Sequence, residues 1–291
     1  MAATTPKAFD EFKETLALTS RQKELVDGRE TATRGYLRSA FPTTSSLPLN
    51  TMKLIGSASR GTLIRPIDDI DVLAQFTNKD SIFEQYRYDS QAFLYRVRDA
   101  LKEVTTVKIV GARGQAVRFF YADAPHVDIA PVFAWNGGGY ALPNGTGGWL
   151  TTDPFAQNTW LGERNSALGY RLRPLIRILK RWNNIHSRRL KSFHLEVMVA
   201  SIFSSLNSDS RDALEKFFQW AQTSISVYDP AGHGGDLSSY LTYNTRSDLI
   251  TSLESSRARA ANANAAERRG DHQESIRLWR IILGDEFPAY G

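Results

Sequence analysis

Apolar residues along the chain follow two regimes. From residue 8 to 41 they recur at helical spacing, as Phe9, Phe12 and Leu16 and then Leu25, Tyr36, Leu37 and Phe41. Thr19 followed by Gln22 reads as a capping box, which predicts a break near residues 17–20. Pro42 to Pro48 is rich in turn formers. Asn50–Ile55 and Asp69–Phe76 then read as short strands, joined by GSASRGTLIRPID, a loop with two glycines and a proline. A helix is predicted over 89–104, followed by three β-branched runs at 106–112, 116–121 and 126–134. The glycine-rich stretch 135–149 reads as a loop. From about residue 153 helical spacing takes over, at 172–184, 192–206 and 211–222. A loop at 227–240 precedes two more helices within 245–284, where the alanines of 257–266 favour helix over linker. No internal repeat is present. The order predicts an α+β chain in two parts. Residues 1–152 form a mixed or antiparallel sheet with a long N-terminal helix, and residues 153–291 form an all-helical part.

Composition narrows the class. The 291 residues are 42% hydrophobic and 23% charged, which is ordinary for a globular protein. No stretch approaches the roughly 18 apolar residues of a membrane span, and the start lacks the layout of a secretory signal. No membrane partner and a cytoplasmic location are therefore expected. Cysteine is absent, which excludes disulfides, thiolate zinc sites and a cysteine nucleophile. A net charge of +5 favours polyanionic partners, whether nucleic acid or nucleoside triphosphates.

The sharpest chemical signal is Gly56-Ser57, then eleven residues, then Asp69-Ile70-Asp71-Val72. Residues i and i+2 of a strand share a face, about 6.6 Å apart. Asp69 and Asp71 therefore project together while Ile70 and Val72 pack behind them. Paired carboxylates raise each other's pKa unless a cation neutralises them. Hard oxygen donors in that geometry suit Mg²⁺. A third acid is expected from His126-Val127-Asp128-Ile129, where an aspartate inside an apolar strand needs a partner. Asp123, in YADAP, is the competing choice. Gly56 lets a backbone approach a phosphate closely, and Ser57 adds a hydroxyl.

The helical part adds a positive surface. Leu172, Leu175, Ile176 and Leu179 make an apolar face, and Arg173, Arg177, Lys180 and Asn184 a basic stripe that would clamp a triphosphate if it faced the acids. Ser192 stands where a helix should begin, and helix N-termini bind anions. The histidines lack metal-ligand spacing, and His194 is expected to be a satisfied side chain near the site. Trp149, Trp160 and Trp182 are expected in the core.

The segment GSASRGTLIRPIDDIDV resembles the signature of the polymerase-β-like nucleotidyltransferases. Its GS-x-x-R-G-T form resembles the CD-NTases, bacterial relatives of animal cyclic GMP-AMP synthase. LTSRQKELVDGRETATRGYL resembles that family's long spine helix, and LRPLIRILKRW with KSFHLE its triphosphate-binding lobe. DPAGHGGDL and LGDEFP fit its distal segments. The resemblance implies a two-lobed fold, with a catalytic lobe over 1–152 and a helical nucleotide-binding lobe over 153–291. It implies Asp69, Asp71 and Asp128 as ligands of two Mg²⁺ or Mn²⁺ ions, with Asp128 also activating the acceptor hydroxyl. Gly56 and Ser57 would hold donor phosphates, Lys180 and Ser192 would reach the triphosphate, and Phe193 would stack on a base where the family often has tyrosine.

The implied activity is the joining of nucleoside triphosphates into a cyclic di- or trinucleotide acting on a downstream effector, as in antiphage signalling. Without cysteines for a zinc insertion, DNA activation is not expected. The terminal glycine resembles a handle for C-terminal conjugation machinery. Asn158 and Asn165 are candidates to read a base edge. The alternatives are a linear oligonucleotide synthetase, a tRNA-directed nucleotidyltransferase, or a nucleic-acid-binding module without catalysis.

Overall fold

A computed structural model describes residues 1–107 and 109–291. The N-terminal helical pattern is two helices, α1 (Thr5–Leu16) and α2 (Ser20–Ala40). The break is made by the capping box, with Thr19 and Gln22 satisfying each other's backbone donors. A mixed seven-stranded sheet follows: β1 (Leu49–Ile55), β2 (Asp69–Phe76), β3 (Ile109–Arg113), β4 (Ala116–Phe120), β5 (His126–Ala134), β6 (Tyr140–Pro143) and β7 (Trp149–Thr152). Its main path runs β1-β2-β5-β4-β3. Among the described residues of the sheet, β2 and β5 pair in parallel and the other neighbours are antiparallel.

Two sequence expectations change here. The loop after β1 opens with a short helix, α3 (Gly56–Arg60), closed by Gly61 in the left-handed region. The glycine-rich stretch read as a loop contains the β6–β7 hairpin, whose turn is held by Asn144 Oδ1 accepting from the Thr146 and Gly148 amides. Tyr140-Ala-Leu-Pro is too short a run to stand out among glycines.

Alternation along the strands divides the sheet into two faces. Ile70, Val72, Ala74 and Phe76 of β2 join Val127 and Ile129 of β5 and Val117 and Phe119 of β4 in a core covered by α2 and α4 (Ser90–Val104). The opposite face carries Asp69, Asp71, Asp128 and Arg118, and farther along a small apolar cluster of Leu73, Val132 and Leu142.

From residue 154 the chain is helical: α5 (Pro154–Ala167), α6 (Leu172–Ile185), α7 (Ser192–Ile202), α8 (Ser210–Ala221), α9 (Tyr243–Arg268) and α10 (His272–Leu283). These bury a second core around Trp182, Trp279, Phe217 and Phe218. Helix α1 belongs to this core. Its Phe9 and Phe12 rings meet Phe287 edge-on at 5.0 and 5.2 Å. The N-terminal helical stretch is thus shared between the lobes, α1 with the helices and α2 with the sheet. Trp182 is fully buried, while Trp149 and Trp160 are partly buried at the edges of the two cores.

Candidate active site

Strand register builds the acidic side of the site. Asp71 pairs with Asp128 across β2 and β5, and Asp128 pairs with Arg118 across β5 and β4. Three adjacent strands therefore present one row, Asp71–Asp128–Arg118, with Asp69 two residues before Asp71 on the same face. Asp123 lies outside it, exposed in the bend before Pro125.

Arg118 is the residue that sequence reasoning missed. Its guanidinium binds both oxygens of Asp128 and reaches Asp69 Oδ2 at 2.9 Å. The bond to Asp128 holds its pKa above the ordinary arginine value despite partial burial. Asp71 has no such bond among the described residues. Burial, then the charges of Asp69 and Asp128, push its pKa up to about 6. The signal for Arg118 was present in AVRFF, where a lone arginine falls on the half-buried face of an alternating strand.

Gly56 is fixed in place by that row. Its φ is +67°, and a Cβ would overlap Asp71 Oδ2. The residue thus lets the turn into α3 close directly over the acid. Ser57 follows at the start of α3, and its carbonyl accepts from the Thr62 amide at 2.9 Å.

A cleft of about 270 Å³ gathers Ser57, Arg60, Asp69, Asp71, Lys180, Asn184, Ser192 and Phe193. Residues far apart in sequence thereby meet between the two lobes. Only part of the predicted basic stripe takes part. Lys180 and Asn184 line this cleft, whereas Arg177 lines a separate cavity behind α3, bounded by α2 and Leu54. Lys180 is itself buried, its ammonium bound to Glu196 Oε1 at 2.5 Å and to the Thr62 carbonyl and hydroxyl at 3.2 and 3.1 Å. Burial pulls the Lys180 pKa down and Glu196 pulls it back up. Burial would likewise raise Glu196, but Lys180 and Arg60 outweigh it and hold the acid at about 2.

Ser192 is the first residue of α7 and is exposed; the cap position is Lys191. Phe193 is half-buried, with the Arg60 guanidinium 4.9 Å from its ring centre. His194 is satisfied by Tyr240 and the Ile225 carbonyl. The two amides offered as base readers each make one side-chain hydrogen bond within the protein, and Asn158 Oδ1 is buried without a partner among the described residues. Asn165 is 2% exposed and accepts from the Arg173 amide at the head of α6, and Asn158 donates to Ser59 Oγ.

The donor set fits a hard divalent cation: three carboxylates on one face, two of them already bound to a cationic side chain. Among the described residues no three His, Cys, Asp or Glu groups close on a single point in this conformation. Arg118 holds Asp69 and Asp128 there.

A mixed sheet bearing paired acids opposite a helical lobe is the arrangement expected of a metal-dependent nucleotidyltransferase. Residues 3–165 match the Second Messenger Oligonucleotide or Dinucleotide Synthetase domain, and the chain belongs to that family. Over its whole length it is 28% identical to a probable cyclic nucleotide synthase of Bacillus cereus, covering 99% of that protein. It is also 28% identical to a cyclic AMP-AMP-AMP synthase of Acinetobacter, over 81% of this chain and 72% of that one. Its fold is shared with Escherichia coli CdnC, solved in a complex with HORMA-deltaN, at a TM-score of 0.82 and 18% identity, covering 97% and 98% of the two chains. It is shared too with Vibrio cholerae DncV cyclic AMP-GMP synthase, solved with a linear intermediate, at 0.77 and 15%, covering 96% and 97%.

Proposed function

We propose that this chain joins nucleoside triphosphates into a cyclic di- or trinucleotide second messenger, with Asp69, Asp71 and Asp128 at the reaction centre. The observation that carries the reading is that Asp69 and Asp71 line the cleft that also holds Ser57, Lys180, Ser192 and Phe193, with Asp128 paired to Asp71 on the neighbouring strand. The three acids are the residues to hold two Mg²⁺ or Mn²⁺ ions, whose chemistry is to lower the pKa of a ribose hydroxyl and neutralise charge on the departing pyrophosphate.

The chain's own residues supply position and charge. The Gly56–Ser57 turn and the exposed start of α7 at Ser192 hold phosphate oxygens by hydrogen bonds. Phe193 offers a ring face to a base, with Arg60 nearby. Lys180 adds positive charge from the cleft wall, and a carboxylate oxygen of Asp128 draws the proton from the attacking hydroxyl. Holding donor and acceptor in line in this way converts an encounter into an intramolecular reaction. Ring closure is supported by the relatives named as synthases of cyclic nucleotides. In this reading the product diffuses to a downstream effector in bacterial antiphage signalling in the cytoplasm.

The test is incubation of the purified chain with the four nucleoside triphosphates and Mg²⁺ or Mn²⁺, followed by phosphatase treatment and mass analysis. A phosphatase-resistant cyclic product is expected, and Asp69→Asn with Asp71→Asn should abolish it. A product that loses terminal phosphates would identify a linear synthetase. Unchanged synthesis by the double variant would remove the site.

A further inference from the structure

Glu196 is completely buried, yet no step above uses it. It lies one turn after Ser192 on α7 and accepts from Arg60 Nε at 2.5 Å, Thr62 Oγ1 at 2.7 Å and Lys180 Nζ at 2.5 Å. Arg60 and Thr62 come from the sheet lobe, and Lys180 and Glu196 from the helical lobe. One carboxylate therefore binds two cations across the boundary between lobes. For stability alone this is a poor choice, since well-packed apolar residues often serve a buried position as well as an ion pair or better.

The two cations differ in what they leave free. Lys180 has three N–H donors, and Glu196 with the Thr62 carbonyl and hydroxyl accounts for all three. Arg60 has five, and among the described residues only its Nε is engaged. Arg60 lines the cleft beside Asp71 and Ser57, with its guanidinium against Phe193. A planar fork with unused donors matches phosphate oxygens.

We infer that Arg60 contacts the phosphates of the bound nucleotide and that Glu196 is its positioning residue, tying it to Lys180 so that the cationic wall of the cleft forms only with both lobes docked. This rests on the reading of the cleft as a nucleotide site. The sequence offers a hint in hindsight: a lone acid within LEVMVA, on a helix otherwise buried in apolar contacts, has to be paired.

The experiment measures ATP affinity by calorimetry in the presence of a chelator, with kcat and KM for pyrophosphate release measured separately, for Arg60→Gln, Glu196→Gln and the double variant. Each single substitution should weaken ATP binding about tenfold or more and raise KM, with kcat changing less. The double variant should bind no more weakly than Arg60→Gln, because both changes remove the same contact. A Glu196→Gln protein that melts earlier but binds ATP like the wild type overturns the inference, as do additive effects in the double variant. Should Glu196→Gln fail to fold, Thr62→Val removes one donor to the same carboxylate and decides on the same criterion: weakened binding supports the inference and unchanged binding ends it. A wild-type chain that binds ATP neither in chelator nor with Mg²⁺ overturns the nucleotide reading itself, a distinct result.

Discussion

Gly56 lies so close against the Asp71 carboxylate that no side chain fits between them. A methyl group at Gly56 would meet the Asp71 carboxylate as well as the strain of a positive φ. Gly56→Ala should therefore displace Asp71 and cut product formation by about 10²-fold while leaving the circular dichroism spectrum intact. Activity within a few-fold of wild type would show that the turn does not set the acid's position. Arg118 makes the opposite kind of prediction. It is paired with Asp69 and Asp128, so a divalent cation taking those two acids would have to displace it. Arg118→Gln should bind Mn²⁺ about tenfold more tightly in calorimetry or electron paramagnetic resonance titration without nucleotide. The same variant should melt earlier than wild type in chelator and regain the difference when Mn²⁺ is added. Weaker metal binding would mean that Arg118 orients the acids rather than guarding them.

At the scale of elements, the start of α7 depends on a relay. The Lys191 amide donates to the Tyr240 hydroxyl, that hydroxyl donates to His194 Nδ1, and His194 Nε2 donates to the Ile225 carbonyl. The relay requires a neutral imidazole. Burial lowers the His194 pKa below its ordinary 6.5, opposed by the Ile225 carbonyl and Asp236 and reinforced by Arg246 and Lys191. The folded state thus resists a proton that the unfolded chain accepts. The contribution is whole above about pH 6.5 and is lost as pH falls through the lower folded value. Between pH 7.5 and 5.5 the wild type should lose melting temperature more steeply than His194→Gln, and amide exchange at 191–193 should quicken. Equal slopes would exclude His194. Which elements were legible follows the same physics. Asp69–Phe76 and the Asp128 strand announced themselves through alternation, and the α1–α2 break through Thr19 and Gln22. The Asp71–Asp128–Arg118 row did not, because register is a property of pairing between strands and no single strand carries it. Likewise the stripe Arg173–Lys180 looked uniform from its spacing, but α3 divides it, leaving Arg177 on another cavity.

The whole molecule depends on a chain that crosses between lobes twice. It leaves the helical lobe after α1, builds the sheet lobe and returns at Asp153, whose carboxylate caps α5 by accepting from the Phe155 and Ala156 amides. Helix α1 closes the helical core from outside the contiguous segment, and the ends of the chain meet beside it, where the Ala2 amide donates to the Ala289 carbonyl at 2.8 Å. The sheet lobe is tied back to α1, with Arg65 donating to the Glu14 and Leu16 carbonyls. Because Lys180 and Ser192 stand on helices of this same lobe, loosening its core should reach the cleft without touching an acid. Phe12 is fully buried against Phe287, so Phe12→Ala should cost about 3–5 kcal/mol. Hydrogen exchange should locate the loss in α6 and α10, the helices that α1 packs on. The amides of β2 and β5 should keep their protection, and ATP affinity should fall with the helical lobe. If β2 and β5 open together with α6 and α10, the lobes unfold as one cooperative unit and α1 does not divide them.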